Sequence, residues 1–189
     1  MPAAESAPVS ESELGELFDN LTDRPALGLA VSGGPDSLAL MLLAQRWRRR
    51  RAAGPQLFVF TVDHGLRPEA TVEAEAVAAV ARQLGLLHRI LTWDGVKPST
   101  GVEEAARDAR YRLLLEAARR EGIGDILTAH HRDDQVETVL MRLGRGSGLA
   151  GLAAMRRERP LAGAVTLHRP LLDLPKSRLI ATVEAPRAS

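Results

Sequence analysis

Between positions 29 and 37 the chain reads Leu29-Ala30-Val31-Ser32-Gly33-Gly34-Pro35-Asp36-Ser37, an apolar run that leads directly into a segment of helical pattern. The two glycines allow unusual backbone angles and the close approach of an anion, and the proline fits the first turn of a helix. A helix N-terminus also offers free amides and a partial positive charge to a polyphosphate. The stretch therefore predicts a phosphate site at residues 32–37, where a strand meets a helix.

This glycine loop differs from two common phosphate motifs. No Gly-Lys-Ser/Thr follows the glycines, so it is not a Walker A loop, and the third glycine of the dinucleotide fingerprint is absent. On the glycines alone, an ordinary capped turn is the competing interpretation.

The rest of the chain alternates between apolar runs and segments of helical periodicity. Apolar runs bounded by glycine or polar residues occur at 26–31, 57–62, 86–91 and 125–129, and a shorter one at 165–167. The pattern predicts an α/β fold with a parallel sheet of about five strands and helices on both faces. In such a sheet, ligands bind at the carboxyl ends of the strands.

Composition limits the function classes. The 189 residues include no cysteine, which excludes disulfides, thiolate zinc sites and sulfur transfer on a thiol of this chain. The net charge is only +1, so bulk electrostatics does not indicate a nucleic-acid partner. No leader pattern or spanning apolar run is present, and we expect a cytoplasmic protein that does not associate with membranes.

Three polar segments follow predicted strands or lie on a predicted helix. His64 follows the second strand, Arg107 and Arg110 are three apart on one helix, and His130 and His131 follow the fourth strand. Taken singly, a turn histidine and a pair of solvated helix arginines are the better interpretations.

Carboxylates follow the two adjacent histidines. We reject a zinc site, because adjacent histidines point in different directions and acidic residues often stabilise the first turn of a helix. Asp134 and Glu137 lie on one face and could serve magnesium or orient a reacting group. Arg145 opens a glycine-rich loop that either changes the chain direction or contacts phosphate or RNA.

Taken together, these segments resemble one enzyme family. The string Ser32 to Ser37 resembles the Ser-Gly-Gly-x-Asp-Ser loop of the PP-loop ATP pyrophosphatases. Asp-His-Gly-Leu-Arg at 63–67, Ala-Arg-Asp-Ala-Arg-Tyr at 106–111, Ala-His-His-Arg-Asp-Asp-Gln-Val-Glu-Thr at 129–138 and the glycine-rich loop from 145 are similar to segments of the tRNA(Ile)-lysidine synthetases.

The resemblance implies ATP and Mg²⁺ as cofactors, with free lysine and the isoleucine tRNA of CAU anticodon as substrates. It implies that Asp36, Arg110, Asp134 and Glu137 are catalytic and that Asp36 places the magnesium. The resemblance assigns nucleotide binding to the loop residues Ser32, Gly33, Gly34, Pro35, Asp36 and Ser37 and to His64, Ala129, His130 and Arg145. A homodimer is left open.

The resemblance also predicts a domain organisation. We expect an N-terminal segment at 1–23, a catalytic domain at 24–172 and the start of a truncated C-terminal extension at 173–189. Three alternatives stay open: a tRNA 2-thiolating enzyme of the same superfamily, disfavoured because that chemistry resembles a cysteine-dependent one; an amide-forming ligase; and a nucleotide-binding fragment inactive on tRNA.

Overall fold

The computed structural model describes residues 6–66, 69–95, 97–144 and 154–185. The strands are β1 (Ala26–Ala30), β2 (Gln56–Asp63), β3 (Leu87–Thr92), β4 (Asp125–Leu127), β5 (Glu158–Pro160) and β6 (Thr166–His168). The helices are α1 (Leu14–Phe18), α2 (Pro35–Arg49), α3 (Glu69–Gln83), α4 (Val102–Arg120), α5 (Arg132–Gly144) and α6 (Lys176–Glu184), and 3₁₀ turns lie at Glu11–Glu13 and Asp19–Leu21.

The strands form one sheet in the order β3-β2-β1-β4-β6-β5. The first five of these are parallel, and β5 pairs antiparallel with β6. The predicted α/β class and its five parallel strands are confirmed. The sequence did not predict the edge strand β5, because Glu158–Pro160 is short, exposed at all three residues and carries no apolar pattern.

Two hydrophobic clusters lie on opposite faces of the sheet. One joins α2, α3 and α6 to one face and includes Trp47, Leu40 and Leu179. The other joins α4 to the opposite face through Leu114 and Phe60. The predicted placement of helices on both faces is therefore confirmed.

Close packing at the centre of the sheet requires a glycine. A Cβ on Gly28 would lie 2.8 Å from Cε2 of Phe60, nearer than a carbon contact allows. With glycine at position 28, the Phe60 ring fits beside β1. The pairing of β1 with β2 extends one residue beyond β1, because the Val31 amide donates to the Phe60 carbonyl at 2.9 Å. The glycine loop begins directly after this hydrogen bond.

The N-terminal segment packs into the same core as the sheet. Leu14, Phe18 and Leu21 are buried in the cluster that holds α2. The Arg178 guanidinium of α6 donates to both Glu13 carboxylate oxygens at 2.8 Å. We still propose the boundaries after residues 23 and 172, but side chains on both sides share one core.

Glycines stand at several helix ends. Gly85 and Gly122 follow helices in the left-handed conformation typical of a helix C-terminal glycine, at φ 71° and 68°. Thr100 and Glu103 have the sequence spacing of a capping box, which would predict a side-chain cap for the next helix. That prediction is wrong, since α4 begins at Val102 behind Gly101, which has a φ of 63°, and no side chain caps the helix. None of the helices in the described ranges is long and apolar enough to cross a bilayer.

Candidate nucleotide site

The glycine loop occupies the turn between β1 and α2. Gly33 has a φ of 96°, a conformation that side-chain-bearing residues rarely adopt, and Gly34 precedes Pro35 at the start of the helix. The Ser37 hydroxyl donates to the Gly34 carbonyl at 2.9 Å and accepts from the Ser32 amide at 3.1 Å. Ser37 thus fixes the loop from inside, while Ser32, Gly34 and Pro35 remain exposed.

A cleft of about 550 Å³ opens beside this loop, and we call it the glycine-loop cleft. Its floor is apolar and comes from β1, β2 and α3. The residues that define it are Ser32, Gly33, Gly34, Leu38, Phe60, Val77, His64 and Arg110. Its volume and its mixture of apolar walls with a few polar groups are those of a small-molecule site.

His64 is positioned by the carboxyl end of β2. Asp63 accepts a bond from the Gly65 amide and another from the Thr71 hydroxyl, both at 2.9 Å, which fixes the turn between β2 and α3. Burial lowers the pKa of His64, and the positive charge of Arg110 lowers it further. His64 Nδ1 is buried without a hydrogen-bond partner, so a neutral imidazole faces the cleft with one unused polar atom.

Arg110 and Arg107 diverge from the same turn of α4. Arg110 lines the glycine-loop cleft, whereas Arg107 lines a different one. Burial lowers the pKa of Arg110, and the neighbouring charge of Arg107 adds to this effect. Arg107 lies 5.6 Å from the centre of the Tyr111 ring. A buried guanidinium next to a second one would be stabilised by an anion in the cleft.

His130 is held at the end of β4 by Thr128. The Thr128 hydroxyl lies 2.9 Å from His130 Nδ1. Burial, with the charge of Arg169 next in importance, lowers the pKa of His130 to about 4. This imidazole is therefore neutral at neutral pH. Ala129, beside it, packs against the hydrophobic core.

Asp36, Asp134 and His131 form a compact polar cluster beside the loop. His131 Nε2 lies 3.4 Å from Asp36 Oδ2 and 3.6 Å from Asp134 Oδ2. Asp134 also accepts the His131 amide at 2.9 Å and so caps α5. Lys176, at the start of α6, reaches Asp36 Oδ2 at 3.7 Å. The sequence predicted no role for His131 or Lys176. The only available signal for Lys176 was that lysine is rare, with two in the chain.

A second cleft of about 580 Å³ shares Asp134 with this cluster, and we call it the arginine cleft. Asp134 and Glu137 line it, so the two carboxylates predicted on one face do lie together. Five arginines share it with them: Arg107, Arg142, Arg156, Arg159 and Arg169. Of these, Arg107 was considered for anion binding from the sequence, and Arg169 lies in the stretch 168–172, which also resembles the family but was given no role.

The wall of the arginine cleft is anchored by hydrogen bonds. The Gln135 side chain bonds the Met155 amide at 2.6 Å and carbonyl at 3.1 Å, which holds residues 154–156 against α5. Arg169 is 5% exposed and donates to the Arg156 carbonyl at 2.7 Å. Its Nε is buried without a partner. Arg145, a candidate contact for phosphate or tRNA, lies outside the described residues.

A small cavity of about 220 Å³ lies between the two clefts. Its wall consists of His64, Arg107, Arg110, Tyr111, Thr128 and His130, with Ala106. Residues from three predicted segments thus meet at the carboxyl edge of the sheet, as the parallel topology requires.

Asp36 is the residue whose environment suits a cation. Its Oδ1 is buried without a hydrogen-bond partner, and the residue belongs to the glycine loop. Within the described ranges there is no cluster of three or more acidic, histidine or cysteine side chains able to hold a metal by itself. The arrangement therefore fits a magnesium held by one or two carboxylates and completed by phosphate oxygens and water.

Comparison with protein families agrees with this geometry. The model of the PP-loop domain family matches residues 6–188. A protein of Rhodopseudomonas palustris named tRNA(Ile)-lysidine synthase is 59% identical over 187 residues, which are 99% of this chain and 54% of that protein. Its namesake in Bradyrhizobium diazoefficiens is 60% identical over 180 residues, or 95% of this chain and 50% of that protein. The chain spans about half the length of these curated relatives.

Solved structures share the fold at low identity. The U34-tRNA thiolase NcsA from Methanococcus maripaludis aligns with a TM-score of 0.77 at 19% identity, covering 92% of this chain and 63% of that one. A glutamine-dependent NAD⁺ synthetase from Acinetobacter baumannii aligns with a TM-score of 0.57 at 17% identity, covering 95% of this chain and 34% of that one.

Proposed function

Since this chain belongs to the PP-loop domain family, we propose that it is the ATP-binding part of a ligase that joins lysine to the wobble cytidine of isoleucine tRNA with a CAU anticodon. The family match supports ATP binding. The observation that carries the finer proposal is the identity of 58–60% to three proteins named tRNA(Ile)-lysidine synthase, over at least 94% of this chain.

The chemistry explains why such an enzyme would need a pyrophosphate site. The 2-carbonyl oxygen of cytosine is a poor leaving group. Attack of that oxygen on the α-phosphorus of ATP forms an adenylated cytidine and releases pyrophosphate. The lysine amine then attacks the C2 carbon, AMP departs, and the amine loses a proton. The loop amides at residues 32–37 would stabilise the charge that develops on the departing pyrophosphate.

In this proposal the two clefts bind different substrates. The glycine-loop cleft has an apolar floor for an adenosine and a phosphate loop at its mouth. The arginine cleft offers cations for RNA phosphates, with two carboxylates among them that could receive a lysine amine. The small cavity between them, bordered by His64 and His130, would bring the reacting base next to the α-phosphate.

The site residues take the following roles in this proposal. Asp36 would hold magnesium, which when bound neutralises phosphate charge. Arg110 would face the phosphates from the opposite wall of the cleft. Asp134 and Glu137 are the candidate bases for the lysine amine, because they line the cleft next to the cavity. His64 and His130, neutral at neutral pH, would donate or accept hydrogen bonds without adding charge.

A transfer assay tests the proposal. Radiolabelled lysine is followed into isoleucine tRNA carrying the CAU anticodon, with this chain compared with a protein extended to the length of its relatives. We expect ATP binding by both proteins, efficient transfer by the extended one, and weak, strongly salt-sensitive tRNA binding by this chain, whose net charge is +1. A methionine tRNA with the same anticodon serves as the control acceptor.

The outcomes separate the alternatives. Absence of transfer by the extended protein, or transfer to another acceptor, would refute the lysidine proposal and leave an ATP-binding domain of other specificity. Pyrophosphate release that depends on a small carboxylate would identify an amide-forming ligase. Efficient transfer by the 189-residue chain alone would confirm the chemistry and refute the need for an extension.

A further inference from the structure

Three helices begin at the same point beside the glycine loop. His131 Nε2, just before α5, lies 3.4 Å from Asp36 Oδ2 in α2, and two hydrogen bonds join the starts of α5 and α6. The Lys176 amide donates to Asp133 Oδ2 at 2.9 Å, and the Arg132 amide donates to the Leu174 carbonyl at 2.9 Å. Each helix N-terminus carries a partial positive charge, so their convergence creates a region that favours anions.

The side chain of Lys176 adds a full positive charge to this region. Its Nζ lies 3.7 Å from Asp36 Oδ2, and 49% of the side chain is exposed. The glycine loop itself contains no cation, because no lysine follows its glycines. A Walker A loop places a lysine on the outer phosphates of the nucleotide. Here an amine reaches the same part of the loop from a helix about 140 residues later in the chain.

A second observation indicates that this cluster is incomplete without a ligand. His131 is 4% exposed, and its Nδ1 has no hydrogen-bond partner. Oδ1 of Asp36 is also buried and unpartnered. Polar atoms buried without partners are rare in folded proteins and usually mark a place completed by water, an ion or a ligand. Both atoms belong to the cluster that Lys176 closes.

We propose that Lys176 binds the β- and γ-phosphates of ATP and then the released pyrophosphate, and so completes the phosphate site of the glycine loop. The inference rests on the proposed ATP binding. The long stem of lysine lets the amine leave Asp36 and approach the phosphate oxygens, after which Asp36 is available to a cation. Lys176 is thus a binding residue for the leaving group and has no contact with the reacting base.

Binding measurements on this chain test the assignment. Lys176→Gln removes the charge but keeps the backbone amide that bonds Asp133. We expect its affinity for pyrophosphate and ATP to fall about tenfold and its affinity for AMP to stay unchanged. Tenfold is at the lower end for the loss of a charge-assisted hydrogen bond, because the amine is half exposed. Lys176→Arg should retain most of the affinity. Calorimetry with pyrophosphate, ATP and AMP gives the three constants.

Chemical labelling provides a readout that does not depend on any variant. The chain has only two lysines, so acetylation by acetic anhydride can be followed at each by mass spectrometry. Pyrophosphate should protect Lys176, AMP should not, and Lys97 serves as the internal control because its amine bonds the Trp93 carbonyl instead.

The results distinguish two failures. If the unaltered chain binds neither ATP nor pyrophosphate, the proposed function itself fails. If it binds both, but Lys176 is labelled equally with and without pyrophosphate, or Lys176→Gln keeps the ratio of pyrophosphate to AMP affinity, this inference alone is overturned. Equal weakening by Lys176→Arg and Lys176→Gln in stably folded proteins would also contradict a role based on charge.

Discussion

Replacement of Gly34 by valine should greatly weaken nucleotide binding without damage to the fold. Gly34 has a φ of −68° and a ψ of 158°, an extended conformation that valine tolerates. A Cβ at this position would have no heavy atom within 4 Å in the free protein. The added side chain would instead occupy the mouth of the glycine-loop cleft, where a phosphate must approach the backbone amides.

The expected loss follows from the contacts that valine would prevent. A hydrogen bond to a charged group contributes about 1.5–3 kcal/mol. Loss of one or two such bonds corresponds to about 3 kcal/mol, or roughly a hundredfold increase in the Kd for ATP. Thermal stability without ligand should change little, because the substitution creates no clash in the free protein.

Calorimetric titration with ATP, combined with thermal unfolding, checks this prediction. Gly124→Ala is the matched control, since its Cβ would meet only the Ala164 carbonyl oxygen at 3.9 Å, at the opposite end of β4. Gly33→Ala is a contrasting variant: at φ 96° it should lower the melting temperature by a few degrees. Unchanged ATP affinity in a folded Gly34→Val protein would refute the assignment of this loop.

Three further predictions concern charge. Asp36→Asn should reduce magnesium-dependent turnover more than ATP affinity, because a carboxylate beside a polyphosphate repels it unless a magnesium ion bridges the two. Equal turnover of the variant and the unaltered protein across a magnesium titration would contradict this. His130 has its pKa lowered to about 4 from 6.5, so its share of stability is lost as pH falls from 6.5 to 4, by up to about 3 kcal/mol. Urea unfolding of His130→Asn should show a flatter pH dependence over that range, and an identical profile would argue against it. The Arg178 bond lowers the pKa of Glu13 to about 2 from 4.5, so the stability from this pair is lost as pH falls from 4.5 towards 2. Glu13→Gln should cost about 1 kcal/mol at pH 7, given partial solvent screening, and no change in the unfolding midpoint would show that the pair contributes nothing.

The sequence predicted the parts of the site that lie within single segments. The glycine loop, the ends of β2 and β4 and the helical spacing of Asp134 and Glu137 were each visible as short local patterns. Parallel topology then implied that these segments share one edge of the sheet, because strands of the same direction end on the same side. The capping of α4 could not be predicted, since the left-handed turn at Gly101 replaced the side-chain cap that Thr100 would have provided.

What the sequence alone determined about this protein is therefore the α/β class, the five parallel strands and the glycine loop between a strand and a helix, because hydrophobic periodicity and turn residues act over a few neighbouring positions. Only the tertiary structure brought Lys176 to Asp36 and gathered five arginines around Asp134 and Glu137. Such contacts join segments far apart in the chain, and their positions depend on how helices pack on both faces of the sheet. Burial, which makes His64 and His130 neutral, is likewise a property of that packing and has no local signature in the sequence.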